Sequence, residues 1–389
     1  MAVRRILVAV IAVLVAAQIV RQGMVDSFAA LRPETAAAVW PGHPDVRIAQ
    51  GMTSIAAATR ARQPIPDAVL AGIAKTAAKA PLAPEPYLVR GIQAQLGGDV
   101  ASALRAFAAA RSRDPQSLPA RYFLADLYLR QGNAAAGLRE IAVLARLAPN
   151  GVASLAPYVA TFASQRATWP QLRALFRAEP LLEQATMQAL AADAANAEAV
   201  LALSTRKSAG VIWLPQLIDN LVRVGRYAEA RRVWMAVSGA RPGTALLFDP
   251  TFSDGTAPPP FNWSLTSSGV GLAERQRGGG LHVIYHGRED GVLAAQLTLL
   301  RPGRYRLAAP ASGSGARSAG LRWRIWCVST NSEIALRALK DMGAKGFVFD
   351  IAGNCPAQRV ELVGSAADMP QPSDVIVREV RLTRDGADG

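Results

Sequence analysis

The residues best able to do chemistry are few in this 389-residue chain, which has three histidines and two cysteines. His282 and His286 lie four residues apart in an alternating stretch, a spacing of about 13 Å along a strand, too far for both to hold one metal ion. The adjacent carboxylates Glu289 and Asp290 precede a glycine, as in a turn. With no nucleophile elbow, metal-ligand cluster or phosphate-binding loop, the sequence predicts no enzyme, no metal and no cofactor.

Cationic and aromatic side chains alternate with apolar ones in the C-terminal part. In residues 321–328, Arg322, Arg324 and Trp326 share one strand face and apolar residues the other. Guanidinium groups beside an aromatic ring suit an acidic saccharide. The candidate saccharide face contains His282, His286, Arg304, Arg306, Arg322, Arg324 and Trp326. Ordinary solvated arginines on the outside of a sheet are the alternative.

The two cysteines, Cys327 and Cys355, are 28 residues apart and form no Cys-x-x-Cys motif. They are poor zinc ligands because the nearest histidine, His286, lies 41 positions upstream. In an exported protein such a pair predicts one disulfide bond, and two free buried thiols are the alternative.

The N-terminus predicts export. Arg4 and Arg5 precede an apolar stretch, residues 6–20, that spans about 22 Å as a helix, against ~30 Å for the hydrocarbon core of a bilayer. We predict a retained signal anchor over residues 1–23, with a cleaved signal peptide or a buried core helix as alternatives. The arginines before this stretch place the N-terminus in the cytoplasm and the rest of the chain outside. Because the export signal and the composition are typical of bacteria, we predict a single-pass protein of the bacterial inner membrane with its bulk in the periplasm.

Residues 40–242 repeat with a period of 34. Pro81, Pro115 and Pro149 follow this step, as do Gly98 and Gly132. Each unit resolves into two helices joined by a glycine-containing turn and ended by proline. The predicted helices are 87–96, 100–111, 120–130 and 134–147, flanked by 53–62, 67–79, 154–165, 169–178, 181–192 and 198–205.

These units resemble the tetratricopeptide repeat. The matching positions are Tyr87, Gly91, Ala103 and Phe107 in the unit from Pro84, Leu124, Ala125, Tyr128 and Leu138 in that from Leu118, and Leu214, Leu217, Leu221, Ala230, Trp234 and Val237 in that from Val211. Small residues are needed where the two helices cross, while Phe107 or Trp234 fills the space between repeats. The resemblance implies an α-solenoid over residues 24–245.

The same resemblance implies that the solenoid binds protein partners through its concave face, which the first helix of each pair lines. By the resemblance, this groove carries Glu85, Leu88, Ile92, Gln95, Tyr122, Asp126, Leu129 and Asp219. The set mixes apolar and acidic groups, without the lysines and asparagines that would clamp a peptide carboxylate. Ordinary surface and packing roles are the alternative.

After residue 243 the helical pattern ends. Apolar and polar residues then alternate in short runs that are separated by glycine and proline. The predicted strands are 246–248, 263–266, 272–275, 281–286, 292–299, 303–308, 321–328, 346–350, 358–362 and 375–383, with helical turns at 333–342. Ten short runs of this kind predict an antiparallel β-sandwich over residues 246–385, followed by a tail, residues 386–389.

This region resembles the galactose-binding-like jelly roll of carbohydrate-binding modules. The resemblance rests on residues 249–255 with 261–263, then 281–284, 296–299 with 302–307, and 375–382. It implies a jelly-roll fold and suggests a saccharide ligand. No ligand motif anchors the sugar or calcium residues of that family, so none is transferred to this chain.

The net charge of +14 lies mainly in the first part, because residues 1–245 hold 27 basic and 15 acidic residues. A basic excess suits anionic lipid or acidic polysaccharide, and nucleic acid is not predicted because no module for it is recognised. We therefore predict a non-enzymatic, membrane-anchored scaffold that binds protein partners of a cell-envelope complex, acting in surface polysaccharide assembly or export. The alternatives are a purely protein-binding scaffold with a structural β-sandwich and a less favoured glycan-active enzyme.

Overall fold

The computed structural model describes residues 2–205, 210–240, 245–316, 320–342, 345–366 and 372–385, so the tail expected at 386–389 lies outside the described residues. Helices come first along the chain and antiparallel strands follow, which confirms the predicted fold class. The chain forms two compact units. One comprises Met1–Leu155 with Pro170–Leu182, and the other comprises Ala156–Trp169 with Glu183–Gly389.

The first helix, α1 (Ala2–Phe28), is longer than the predicted apolar segment. Its large apolar side chains from Ile6 to Val20 are about half exposed or more, whereas Val25 is fully buried. Val25 packs in a small cluster with α2 (Pro33–Val39) and α3 (Pro44–Arg60). The stretch Arg4–Phe28 is long and apolar enough to cross a membrane, a property that an N-terminal signal sequence shares.

Arg21 lies where the exposed apolar run of α1 ends. Its guanidinium carbon is 4.0 Å from the centre of the Trp40 ring, and its Nε donates to the Val39 carbonyl oxygen at 3.4 Å. These contacts hold the end of the apolar run against the end of α2 and the residue that follows it.

The 34-residue period produces antiparallel helix pairs whose turns are specified locally. Four helices follow α4 (Asp67–Lys75): α5 (Glu85–Leu96), α6 (Val100–Arg113), α7 (Leu118–Arg130) and α8 (Ala134–Leu147). Gly98 and Gly132 turn the chain at φ values of 77° and 75°, a conformation that favours glycine. The next residue in each turn caps the following helix, as Asp99 Oδ1 accepts from the Ser102 amide at 2.9 Å.

Gly91 and Phe107 hold α5 against α6. A Cβ atom on Gly91 would lie 2.5 Å from Cε1 of Phe107, so only glycine fits at this crossing. Phe107 is fully buried and stacks on Phe123 of α7, with ring centroids 4.7 Å apart. The consensus residues of the repeat therefore form the core between α5, α6 and α7.

A buried carboxylate joins three consecutive helices. Glu140 of α8 is 5% exposed and pairs with Arg111 of α6 and with Arg121 Nη1 of α7, the latter at 2.6 Å. Because one carboxylate accepts from two guanidinium groups, the burial of its charge is compensated.

The remaining helices include the third repeat. They are α9 (Gly151–Phe162), α10 (Trp169–Ala178), α11 (Pro180–Ala191), α12 (Ala197–Leu203), α13 (Trp213–Arg223) and α14 (Tyr227–Ser238), which makes fourteen α-helices within the described ranges. In the α13–α14 pair, Leu217 and Ala230 are fully buried and Trp234 is 1% exposed, as the repeat pattern predicts.

Twelve short strands are described after residue 263. They are β1 (Ser264–Leu265), β2 (Gly271–Arg275), β3 (Leu281–Tyr285), β4 (Gly291–Thr298), β5 (Gly303–Ala308), β6 (Ala311–Ser312), β7 (Leu321–Cys327), β8 (Ser332–Ala338), β9 (Phe347–Ile351), β10 (Gln358–Gly364), β11 (Ser373–Val377) and β12 (Arg381–Arg384). They pair antiparallel in three sheets with the orders β1-β4-β10-β7-β8, β2-β3-β11-β6 and β12-β5-β9.

The three sheets share one core. Trp323 of β7, Tyr285 of β3 and Leu307 of β5 come from different sheets and belong to the same buried cluster. In β7, buried side chains alternate with partly exposed ones along the whole strand, as predicted from the sequence. This arrangement is consistent with a β-sandwich.

The helical turns predicted at residues 333–342 are wrong, because β8 occupies most of this segment and only Leu339–Asp341 forms a 3₁₀ turn. The segment is rich in helix formers, but Ala335 and Leu336 pair with Ile325 and Arg324 of β7. Cross-strand pairing therefore outweighs intrinsic helix propensity here.

Two predicted strands also differ from the structure. Residues 246–248 form bends instead of a strand, because the side chain of Gln296 bonds the amide and carbonyl of Phe248 at 2.9 and 2.8 Å. These side-chain bonds replace a backbone ladder. The strand predicted at 375–383 is divided into β11 and β12, which belong to different sheets, and the two-residue β6 was not predicted.

Candidate protein-binding surface and strand faces

The predicted groove residues of α5 share one face of that helix. Leu88 is 9% exposed and belongs to the core between the repeats, and Ile92 packs partly buried against that core. Glu85 and Gln95 are half-buried at the two ends of the face. Among the described residues, the buried Oε1 atom of Gln95 has no hydrogen-bond partner. The part of this face open to a ligand is therefore polar at both ends.

On α7, Tyr122 is the most accessible of the predicted groove residues. Its side chain is 62% exposed, and its ring stands edge-on to Phe123 with centroids 6.3 Å apart. Since Phe123 stacks on buried Phe107, the exposed tyrosine stands next to a fixed aromatic stack. A tyrosine supported in this way offers a large contact area with little conformational entropy to lose on binding.

The other groove residues of α7 have partners within the chain. Asp126 accepts from Arg130 Nε at 2.9 Å, an i,i+4 ion pair. Leu129 packs closely against Gly137 of α8, because a Cβ atom on Gly137 would lie 2.4 Å from the Leu129 Cγ atom. The eighth predicted residue, Asp219 of α13, is exposed and belongs to the second compact unit.

The candidate saccharide residues are distributed over three sheets. Arg322, Arg324 and Trp326 lie on β7, Arg304 and Arg306 lie on β5, and His282 lies on β3 with exposed His286 just after it. Strand pairing therefore brings these residues together only where they lie on the same strand. The sequence predicts one outer surface for all seven residues, but no single sheet carries them all.

Several of these cationic groups already donate to carboxylates. Arg324 donates from Nε and Nη2 to Glu361 Oε2 at 2.7 and 2.6 Å, and Glu361 is only 2% exposed. Arg304 and Arg306 both pair with Asp385, at 3.4 and 2.8 Å. These ion pairs reduce the positive charge that the arginines present to an acidic ligand.

His282 bridges two carboxylates across adjacent strands. Its Nε2 lies 2.9 Å from Asp374 Oδ1 on β11, and its Nδ1 lies 3.4 Å from Glu274 Oε1 on β2. The hydrogen bond to Asp374 is the largest cause that raises the pKa of His282 above its usual 6.5, and Glu274 acts in the same direction against the effect of burial. The imidazolium form is therefore favoured in the folded protein.

A raised histidine pKa predicts stability that falls with rising pH. The His282 contribution is complete below the unfolded pKa of 6.5 and is lost as the pH rises through the folded value. Because both carboxylates are more than half exposed, we expect at most about 1 kcal/mol. The melting temperature of the wild type should exceed that of His282→Gln by about 1 to 3 °C in acidic buffer, and this difference should shrink in alkaline buffer.

The control for this measurement is His286→Gln, since His286 is exposed and follows the end of β3. It should melt in parallel with wild type at each pH. A His282→Gln deficit that grew with pH would contradict the ion-pair assignment.

The predicted disulfide is confirmed. Cys327 and Cys355 are bonded, with a Cα–Cα distance of 5.8 Å, and both are buried. The bond joins the end of β7 to the loop that precedes β10. Within the described ranges, no group of three or more histidine, cysteine, aspartate or glutamate side chains is arranged to hold a metal ion.

Comparison with known proteins supports the repeat assignment. The family model of the tetratricopeptide repeat matches residues 96–156, which confirms the predicted resemblance there. No curated protein sequence matches the chain. The carbohydrate-module-like fold predicted for the C-terminal part is not confirmed by these matches.

Two solved structures show only distant likeness. One chain of the crystal structure of accessory secretory protein 1, 2 and 3 in Streptococcus pneumoniae is 11% identical with a TM-score of 0.23, and the match covers 30% of this chain and 86% of that one. A thermophilic TPR protein of Thermus thermophilus is 20% identical with a TM-score of 0.20, over 39% of this chain and 88% of that chain.

Proposed function

We propose that this tetratricopeptide-repeat protein is a non-enzymatic scaffold that binds a protein partner through the helical surface around Tyr122. The observation that carries this proposal is a 62% exposed tyrosine next to a fixed aromatic stack. Tyrosine is among the residue types that dominate binding energy at protein interfaces. The nearby Asp126–Arg130 pair and half-buried Leu129 supply a polar and apolar rim of the kind found around such residues.

We further propose that α1 anchors this scaffold in the bacterial inner membrane, with the helical repeats and the sheets in the periplasm. The exposed apolar side chains of residues 6–20 support this placement, because a helix that remains apolar on all sides needs a lipid or protein environment. Arg4 and Arg5 before this run favour a cytoplasmic N-terminus. The disulfide is in keeping with an oxidising compartment.

For the sheets we propose a structural or docking role within a cell-envelope complex. This alternative is favoured over polysaccharide binding because the candidate saccharide residues lie on three sheets and Arg324 donates to the buried carboxylate of Glu361. Acidic saccharide binding remains a prediction, to be tested with the full-length protein on an array that includes acidic bacterial exopolysaccharides.

Site-specific crosslinking tests the protein-binding surface. With a photoreactive benzophenone residue in place of Tyr122 in the full-length protein in cells, we expect a discrete adduct with one partner. The same residue in place of exposed Arg105 on α6 is the positional control and should give none. Once the adduct is identified, Tyr122→Ala should weaken partner capture about tenfold or more.

Tyr158→Ala is the matched control for that loss. Tyr158 is 41% exposed and stands edge-on to Phe162, much as Tyr122 stands to Phe123. Equal capture by wild type and Tyr122→Ala, or equal losses in both tyrosine variants, would contradict the proposed surface.

A further inference from the structure

The three-stranded sheet β12-β5-β9 carries a basic pocket that the sequence did not suggest as a unit. Its volume is about 320 Å³, and it is lined by Arg306, Ala308, Lys345, Arg381 and Thr383. Three of the five lining residues are cationic, one supplies a hydroxyl group, and none is acidic.

Strand pairing explains how these residues meet. β5 is the central strand, and its Arg306 pairs directly with Thr383 of β12, while Ala308 pairs with Arg381. On one face of an antiparallel pair of strands, side chains that lie directly or diagonally opposite each other are within reach of one another. Arg306 Nη1 also donates to the Lys345 carbonyl oxygen at 3.2 Å, which fixes Lys345 beside the central strand.

Neighbouring carboxylates orient the arginines without lining the pocket. Asp385 accepts from Arg306 Nε and Nη2 at 3.1 and 2.8 Å, and Glu379 lies 3.3 Å from Arg381 Nε. Each guanidinium has five N–H donors, so each retains others for a ligand. Among the described residues, no carboxylate lies within 4.0 Å of the Lys345 ammonium group.

We propose that this pocket binds a phosphate group. Its donors are two guanidinium groups, one ammonium group and one hydroxyl, and they come from three separate chain segments. That distribution suits a tetrahedral anion with oxygens pointing in several directions, whereas a planar carboxylate presents only two oxygens on one side. The pocket is larger than phosphate alone, so it has room for the group to which the phosphate is esterified. This site is independent of the protein-binding surface around Tyr122.

Phosphorus NMR titration of the full-length protein in neutral detergent tests the proposal. In phosphate-free buffer, glycerol 3-phosphate should show saturable line broadening with a millimolar Kd. Lys345→Gln and Arg381→Gln should each raise this Kd about threefold to tenfold. Lys340→Gln is the control, because Lys340 is also an exposed lysine but does not line the pocket. Unchanged thermal melting of the variants would establish that they are folded.

Two phosphate probes distinguish the source of the ligand. Tighter binding of the monoester glycerol 3-phosphate indicates a soluble phosphorylated compound, whereas tighter binding of the diester glycerophosphoglycerol indicates a phospholipid headgroup. Either result supports the site, provided that the pocket variants weaken it. The proposal is overturned if neither probe binds, if Lys340→Gln weakens binding as much as Lys345→Gln, or if glucuronate binds more tightly than both probes.

Discussion

Phe107→Ala should lower the free energy of local unfolding of helices α5 to α8 by about 3 to 5 kcal/mol, the range for truncating a fully buried phenylalanine. The Phe107 ring occupies the space above Gly91 and stacks on Phe123, so its removal leaves a cavity where three helices meet. Amide hydrogen exchange measured by mass spectrometry should therefore show protection in α5 to α8 falling more than about a hundredfold.

Tyr122→Ala is the control for this prediction, because it also removes an aromatic ring, from the neighbouring repeat and from an exposed position. Its effect on exchange should correspond to less than about 0.5 kcal/mol. If Phe107→Ala left the protection of α5 to α8 unchanged, these helices would not share the core that the structure assigns to them.

The helical repeats could be predicted closely because their determinants are local. The turn at Gly98 needs a positive φ, and Asp99 at the next position caps the following helix, so two adjacent residues specify where one helix ends and another begins. Helix α3 was predicted to begin at residue 53 but begins at Pro44, because His43 and Pro44 supply a start signal outside the 34-residue period.

The strands were also largely predictable, but their neighbours were not. Alternation in β7 correctly separated buried Trp323 from half-buried Arg322 and Arg324. Alternation within a strand contains no information about sheet order, so it could not show that β5 pairs with β12, some 75 residues later. For this reason the sequence grouped Arg306 with Arg324 of another sheet, and missed Lys345 and Arg381 near it.

The groove residues illustrate the same limit within the helices. Residues of the first helix in each repeat were placed on one face by the resemblance, but that face includes both packing and open positions. Leu88 is buried among the repeats, whereas Tyr122 is mostly exposed. The difference depends on which side chains of the neighbouring helices reach each position, and a repeat pattern alone does not specify this.

Within the second compact unit, Trp234 joins the last helical pair to the segment that leads into the sheets. Its indole Nε1 donates to the Pro258 carbonyl oxygen at 2.7 Å. Its ring packs against Phe248 and Phe261, with centroids 5.1 and 5.7 Å apart, and its side chain is 1% exposed. Residues 248–261 therefore cover the tryptophan that the repeat pattern predicts to pack between repeats.

Trp234→Ala should therefore destabilise α14 and the adjoining loops together, by about 3 to 5 kcal/mol. The loss combines a cavity with an unmade hydrogen bond to the Pro258 carbonyl. In limited proteolysis, sites in α13, α14 and residues 245–262 should become sensitive at the same protease concentration, well below that needed for wild type. Trp326→Ala, which removes a half-buried ring stacked on Arg324, should cost about 1 kcal/mol or less and leave this region resistant. If only the helices of Trp234→Ala were cleaved, residues 245–262 would fold independently of α13 and α14. These two helices would then not share a core with the loops.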